Sequence, residues 1–275
     1  MRKYLSYIRL GLTAGVILIY YNLRYLRKFS KHPQDYPFEY RYQTIRRMVL
    51  KVLKRFHVDY QVTGFDNFEK LGNEKCFIIS NHHSDADPLV MVAIHKKPIT
   101  FVSKKEAFDF PIVGNALRGL EAFSLDRENL MNQIGQIRDI VSHLRDENKP
   151  QLVVYIEGTR NRNPENDCLP FHAGTLKIAK MAGVKVLPVT VYGTSRILTK
   201  NSYLKKYPAY LNYRETIDYT KFEQFDSNLE AINLKKEFDD DIDRIRKIDL
   251  DYIYNQKLSK RRKALETIID LKKFS

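Results

Sequence analysis

Cys76-Phe77-Ile78-Ile79-Ser80 runs without a break into Asn81-His82-His83-Ser84-Asp85-Ala86-Asp87, and Pro88 then opens the apolar stretch PLVMVAIH, Pro88 to His95. An uncharged apolar run bounded by a polar cluster reads as a strand buried on both faces. Asp87 followed by Pro88 reads as a helix start. The carboxylate takes the N-cap, and the proline takes the first helical position, where its missing N–H costs nothing. The stretch is therefore strand, polar turn, helix, which is one unit of an α/β fold. Such folds place their sites at the C-terminal ends of strands.

The same alternation extends to both sides. His57 to Thr63 alternates polar and apolar before Gly64, and Thr100 to Ser103, Ala122 to Leu125, Gln151 to Ile156 and Val184 to Tyr192 read as further strands. Between them, Phe110 to Leu120 and the series Leu130, Ile134, Ile137, Val141, Leu144 keep helical spacing, and Ala173 to Met181 reads as a helix stopped by Gly183. The expected fold class is α/β: a mostly parallel sheet flanked by helices over residues 57–220, with an N-terminal membrane-associated helical segment. One more candidate strand lies near Tyr210 to Ile217 in a Tyr-rich stretch. Residues 221–275 read as a charged helical extension packed on the domain. Within it, Phe238 to Lys273 is dense in charge and suits one or two surface helices, with Ile242, Ile245, Ile248 and Tyr252 at helical spacing.

A chain of 275 residues suits one sizeable domain with appendages, and its 43% hydrophobic content excludes a largely disordered chain. Two cysteines, Cys76 and Cys168, exclude a disulfide scaffold and an all-Cys zinc cluster. Lys and Arg number 47 against 33 acidic residues, a formal charge of +14. That excess points to an anionic partner: nucleic acid, a membrane surface or a phosphorylated substrate. No nucleic-acid-binding motif supports the first, so no nucleic-acid partner is expected.

Residues 1–56 read as membrane-anchoring and basic amphipathic helices. Leu10 to Leu23 carries no charge. As a helix it reaches about 21 Å against a hydrocarbon core of roughly 30 Å, so it is a short span or a re-entrant, interfacial helix. Tyr20, Tyr21 and Asn22 make a poor cleavage site for a signal peptide. After a break bounded by Pro33 and Pro37, Phe38 to Phe56 places Tyr42, Ile45, Met48, Val49, Val52, Leu53 and Phe56 at helical spacing among Arg41, Arg46, Arg47, Lys51, Lys54 and Arg55. Two readings fit: an anionic bilayer surface, or a stripe packed on the domain with its charges solvated.

Two polar strand ends carry chemistry. A strand–turn–helix bend can bring His82 and Asp87 together. A carboxylate on one imidazole nitrogen fixes the tautomer and leaves the other nitrogen to take a proton. This dyad has no nucleophile of its own, so a substrate hydroxyl would supply it. The same residue types also suit a capped helix start beside a polar loop, or a metal site built from His82, His83, Asp85 and Asp87. After Gln151 to Ile156 comes Glu157-Gly158-Thr159-Arg160. Here Gly158 permits close backbone approach, Arg160 offers a planar fork for phosphate, and Glu157 can orient that fork. Lys104, Lys105 and Asp126-Arg127 follow two further predicted strands. Together the strand ends suit deprotonation of a phosphorylated alcohol for acyl transfer.

These residues resemble the glycerolipid acyltransferase family, most closely its 1-acyl-sn-glycerol-3-phosphate acyltransferases. Asn81, His82 and Asp87 match an Asn-His-x-x-x-x-Asp block. Phe123-Ser124-Leu125-Asp126-Arg127 matches a second, with Glu121 where the family usually has Gly. Glu157 to Arg160 match a third, preceded by Tyr155-Ile156 in place of Phe-Pro. Val186-Leu187-Pro188-Val189 matches a fourth. The resemblance implies a fatty acyl transfer to the free sn-2 hydroxyl of 1-acylglycerol-3-phosphate, giving phosphatidic acid. It makes His82 the general base and Asp87 its orienting partner. Arg127, Glu157 and Arg160, with Lys105, would hold the acceptor phosphate in a loop shaped by Gly158 and Thr159. It further implies acyl-CoA or acyl carrier protein as donor, no metal or cofactor, and a phospholipid surface and lysophosphatidic acid as partners. The place would be a membrane, with the catalytic domain on its cytoplasmic side. Alternatives are another lysophospholipid acceptor, a metal-dependent hydrolase using His82, His83, Asp85 and Asp87, or a membrane-bound module without catalysis.

Overall fold

Alternate residues of the central strand part company: Ile78 joins one hydrophobic layer, and Phe77 and Ile79 join another on the opposite face of the sheet. In a computed structural model that describes residues 14–125, 130–163, 167–198 and 204–255, that strand is β2, Cys76–Ser80, buried along its whole length. The others are β1 (Val58–Thr63), β3 (Ile99–Lys104), β4 (Phe123–Leu125), β5 (Gln151–Tyr155), β6 (Lys185–Tyr192) and β7 (Tyr207–Tyr213). They form one sheet in the order β1-β7-β6-β2-β5-β3-β4. From β6 through β4 every neighbouring pair is parallel. β7 runs antiparallel to β6, and β1 runs with β7, so the sheet is mixed.

Helices cover both faces. Helix α1 (Phe38–Arg55) and helix α2 (Asp87–Ile94) contribute Tyr42, Val49, Val90 and Met91 to the first layer. Helix α3 (Pro111–Gly119) precedes β4. Helices α4 (Leu130–Arg145), α5 (Ala173–Ala182) and α6 (Ser227–Asn255) supply Ile140, Leu144, Leu176, Phe238 and Ile242 to the second layer.

Two expectations are revised, and one choice left open is decided. The candidate strand at Tyr210 to Ile217 lies earlier, at β7, and Ile217 makes only a lone bridge to Val186. Alternation decides this: Tyr207, Ala209, Leu211 and Tyr213 face the first layer and Tyr210 the second. The charged tail begins its helix at Ser227, because the Asp226 carboxylate accepts the backbone N–H of Asn228 at 2.8 Å and starts it there. The apolar stripe of α1 is not offered to a bilayer. Tyr42, Ile45, Met48, Val49, Val52 and Leu53 are all buried in the protein, so the packing reading holds for that helix.

No helix among the described residues is long and apolar enough to cross a membrane. The start of the Leu10 to Leu23 run, up to residue 13, lies outside the described residues. The remainder is helical through residue 21, passes through a π-helical turn at Asn22–Leu26 and continues to Lys31. Tyr21, Leu26 and Phe29 turn inward, while Val16, Ile19, Tyr20 and Leu23 are exposed at spacings of one helix face.

Candidate active site

The turn after β2 is pinned before it does any chemistry. Asn81 imitates a strand residue toward β6: its Nδ2 donates to the Val191 carbonyl at 2.9 Å, and its Oδ1 accepts the Val191 N–H at 2.7 Å. The chain then bends, and α2 delivers Asp87 back to His82. The Asp87 Oδ2 meets His82 Nδ1 at 2.8 Å and accepts the backbone N–H groups of His83 and Ser84 at 2.7 and 2.9 Å. Its Oδ1 accepts the hydroxyl of Thr194, which follows β6. Burial alone would raise the Asp87 carboxyl. The hydrogen bonds from His82 and Thr194 and the positive charge that His82 and His83 can carry together outweigh it, and the group is held below 3.8. With Nδ1–H donated to Asp87, the Nε2 of His82 is left to accept a proton.

β5 and the loop after it hold His82 from the other side. The Tyr155 ring stacks on the imidazole, centroids 4.2 Å apart and planes 19° apart. Glu157 Oε1 accepts the His82 N–H at 2.6 Å, and the Asn161 N–H donates to the His82 carbonyl at 2.7 Å. Glu157 Oε2 accepts the Leu169 N–H at 2.8 Å. Burial pushes the Glu157 carboxyl up to about 7, against the pull of those two N–H donors. Gly158 turns the chain with a φ of 65°, a left-handed conformation that suits glycine.

The remaining site residues fall as follows. Glu157 does not orient Arg160, because both its oxygens are committed to backbone donors. The Arg160 guanidinium instead pairs with Asp85. Thr159 and Lys105 are exposed, Lys105 at the start of a 3-10 turn after β3. Arg127 lies outside the described residues, just beyond Leu125, the residue in register with Lys104. Glu121, which precedes that strand where a glycine was expected, adopts a φ of 51°. The buried Arg41 of α1 steadies it, pairing with its carboxylate and donating to the Gly119 carbonyl at 2.6 Å.

The metal-site reading loses its ligands. Asp87 spends both oxygens within the dyad and on Thr194, Asp85 faces Arg160, and His83 Nε2 lies 3.1 Å from the Asn81 amide. No group of three His, Cys, Asp or Glu among the described residues converges on one point. Sequence reasoning did not assign roles to Tyr155, Asn161 and Thr194. For Thr194 a signal existed: Gly193-Thr194 directly follows a buried strand, as the other site loops do.

A family model described as Acyltransferase matches residues 59–192. A probable 1-acyl-sn-glycerol-3-phosphate acyltransferase of Mycoplasma genitalium is 27% identical, over 82% of this chain and 88% of that protein. A 1-acyl-sn-glycerol-3-phosphate acyltransferase of Helicobacter pylori is 31% identical, over 50% of this chain and 58% of its own. In fold, the chain matches the crystal structure of the 1-acyl-sn-glycerophosphate (LPA) acyltransferase PlsC from Thermotoga maritima. The TM-score is 0.66 at 21% identity, covering 90% of this chain and 98% of that one.

Proposed function

Residues 59–192 belong to the acyltransferase family, and on that premise we propose that the protein moves a fatty acyl group from a thioester donor to the free sn-2 hydroxyl of 1-acylglycerol-3-phosphate, giving phosphatidic acid. The observation that carries this reading is the His82–Asp87 pair at 2.8 Å, beside which the described residues place no activated serine or cysteine. Ser80 donates its hydroxyl to the Asn81 carbonyl, and Ser84 Oγ accepts the Ala86 N–H. Cys76 and Cys168 are buried, and burial pushes both thiols up, Cys76 to about 12, so neither forms a thiolate. The nucleophile is then the acceptor hydroxyl.

His82 Nε2 takes that proton as the oxygen attacks the thioester carbonyl carbon. The carbon–sulfur bond breaks, and the imidazolium returns the proton to the departing thiolate. Asp87 holds the tautomer and faces the charge His82 gains. General-base help supplies about 10² to 10⁴ in rate, and positioning supplies the rest. Arg160, Arg127 and Lys105 bind the acceptor phosphate, with Gly158 and Thr159 shaping the loop. Glu157 serves by fixing the His82 backbone.

The lipid substrate places the reaction at a phospholipid surface. The exposed face of Val16, Ile19, Tyr20 and Leu23 supports this, as do exposed Phe110 and Val113 around α3. The Asn115 amide of α3 donates to Asn22 at 2.9 Å and ties these elements together. In this reading the catalytic domain faces the cytoplasm, where acyl-CoA and acyl carrier protein are available. The test is acyl transfer to 1-acylglycerol-3-phosphate in liposomes, with each donor in turn, beside His82→Ala. Product lost in the variant supports the reading. No product with either donor, or full turnover by His82→Ala, overturns it.

A further inference from the structure

Four contacts hold His82, and they do different jobs. Glu157 and Asn161 grip its backbone N–H and carbonyl, which fixes where the Cα sits. Asp87 fixes the direction of Nδ1. With the backbone held, the imidazole keeps two rotations, about Cα–Cβ and Cβ–Cγ, and the single hydrogen bond at Nδ1 restrains them softly, so the ring can still rock out of its plane. Such rocking would swing the proton-accepting Nε2 away from the acceptor hydroxyl. The Tyr155 ring, nearly parallel to the imidazole with centroids 4.2 Å apart, covers one face of it and opposes that motion.

The ring also has an electrostatic consequence. A π face is negative, and it attracts a cation placed over it. A general base gains positive charge as it takes the acceptor proton, so this attraction is stronger in the transition state than in the ground state. Interactions of that kind raise kcat rather than lower KM.

The Tyr155 hydroxyl has no visible part in this. It is buried and has no hydrogen-bond partner among the described residues. Burial, with the Asp87 charge second, pushes its ionisation well up, so it stays neutral. Tyr155 is itself held by the first hydrophobic layer, which contains Val153, Leu187 and Val189.

We propose that Tyr155 is a positioning residue for acyl transfer, its ring face fixing the plane of the His82 imidazole and attracting the charge that ring gains. The proposal rests on the acyltransferase reading above. It assigns the effect to the aromatic face and none to the oxygen.

The experiment compares the full-length parent with Tyr155→Phe, Tyr155→Met and Tyr155→Leu in liposomes, using 1-acylglycerol-3-phosphate and the donor the parent accepts. Thermal unfolding of each variant is recorded. Tyr155→Phe should keep kcat within about twofold and melt no lower than the parent, since it removes only an unpartnered buried oxygen. Tyr155→Met, of similar volume but without a π face, should lose about 10- to 100-fold in kcat with acceptor KM within about twofold. Tyr155→Leu should do the same. A folded Met or Leu variant with kcat near that of the parent overturns the proposal. So does a Phe variant that loses tenfold or more, an arm that stands even if the other two fail to fold. An inactive parent is a separate result and counts against the acyltransferase reading itself.

Discussion

The backbone N–H of His82 donates to Glu157 Oε1 at 2.6 Å, across a gap of 75 residues in the chain. The other Glu157 oxygen accepts the Leu169 N–H. Glu157 therefore acts as a two-sided acceptor that joins the turn after β2 to the loop after β5.

Glu157→Gln keeps the shape but leaves one acceptor oxygen and sets an NH2 group against a backbone N–H. Losing a buried bond of this kind costs about 1–3 kcal/mol. The expected outcome is a fall in kcat of about 10- to 100-fold with little change in acceptor KM. Steady-state kinetics over acceptor concentration checks it. A rise in KM at unchanged kcat would instead assign Glu157 to phosphate binding.

Thr194 presents its hydroxyl to the other side of the dyad, on Asp87 Oδ1, and both residues are wholly buried. Thr194→Val is close to isosteric and strips that donor from a buried carboxylate, at a cost of about 1–3 kcal/mol. Stability in urea should fall by that amount, and kcat by about tenfold as Asp87 loses its fixed orientation. Thr194→Ser should recover most of both. Equal losses in Val and Ser variants would point to the methyl group instead.

Arg160 meets Asp85 before any acceptor arrives. The pair is partly exposed, with side-chain exposures of 33% and 49%, so it is worth at most about 1 kcal/mol. An acceptor phosphate must displace Asp85 and then sit beside its charge. Asp85→Asn should therefore lower acceptor KM by about two- to fivefold while leaving kcat unchanged. Raising the salt concentration should shrink the difference. Acceptor KM at two ionic strengths, parent beside variant, decides it.

What could be read from sequence was local. The run from Cys76 to Pro88 contains its own strand, turn and helix start, and the dyad closes within it because Asp87 is only five positions from His82. The contacts of Tyr155, Asn161 and Thr194 are not local. They depend on β2 lying between β5 and β6, and that order is set by packing across the sheet. Strand spacing alone does not encode it. The α1 stripe was ambiguous for a different reason. The same apolar periodicity serves a bilayer or a protein core, and the presence of α2, α3 and β1 beside it selects the core. Glu121 shows the converse: a side chain stands in a glycine-like conformation because Arg41, 80 positions away, holds it there.

Stability against pH should reflect two opposed groups. His95 is enclosed by Phe65, Phe68 and Tyr213, its Nδ1 meets the Met91 carbonyl at 2.9 Å, and its Nε2 has no partner among the described residues. Burial lowers it from 6.5 to about 4. Its unfolded form binds the proton first, so stability falls as pH drops from 6.5 toward 4. His143, also lowered to about 4 by burial, adds to that slope. Glu157 is raised from 4.5 to about 7, so its contribution is complete below 4.5 and is lost as pH rises through 7. The slopes overlap with opposite signs and partly cancel in the parent. Each fully titrating proton is worth about 1.4 kcal/mol per pH unit. Urea unfolding between pH 4.5 and 6.5 should show His95→Phe reducing the rise of stability with pH by about one proton's slope. Glu157→Gln should steepen that rise by a similar amount. Matching curves for parent and both variants would mean that neither group changes its proton affinity on folding.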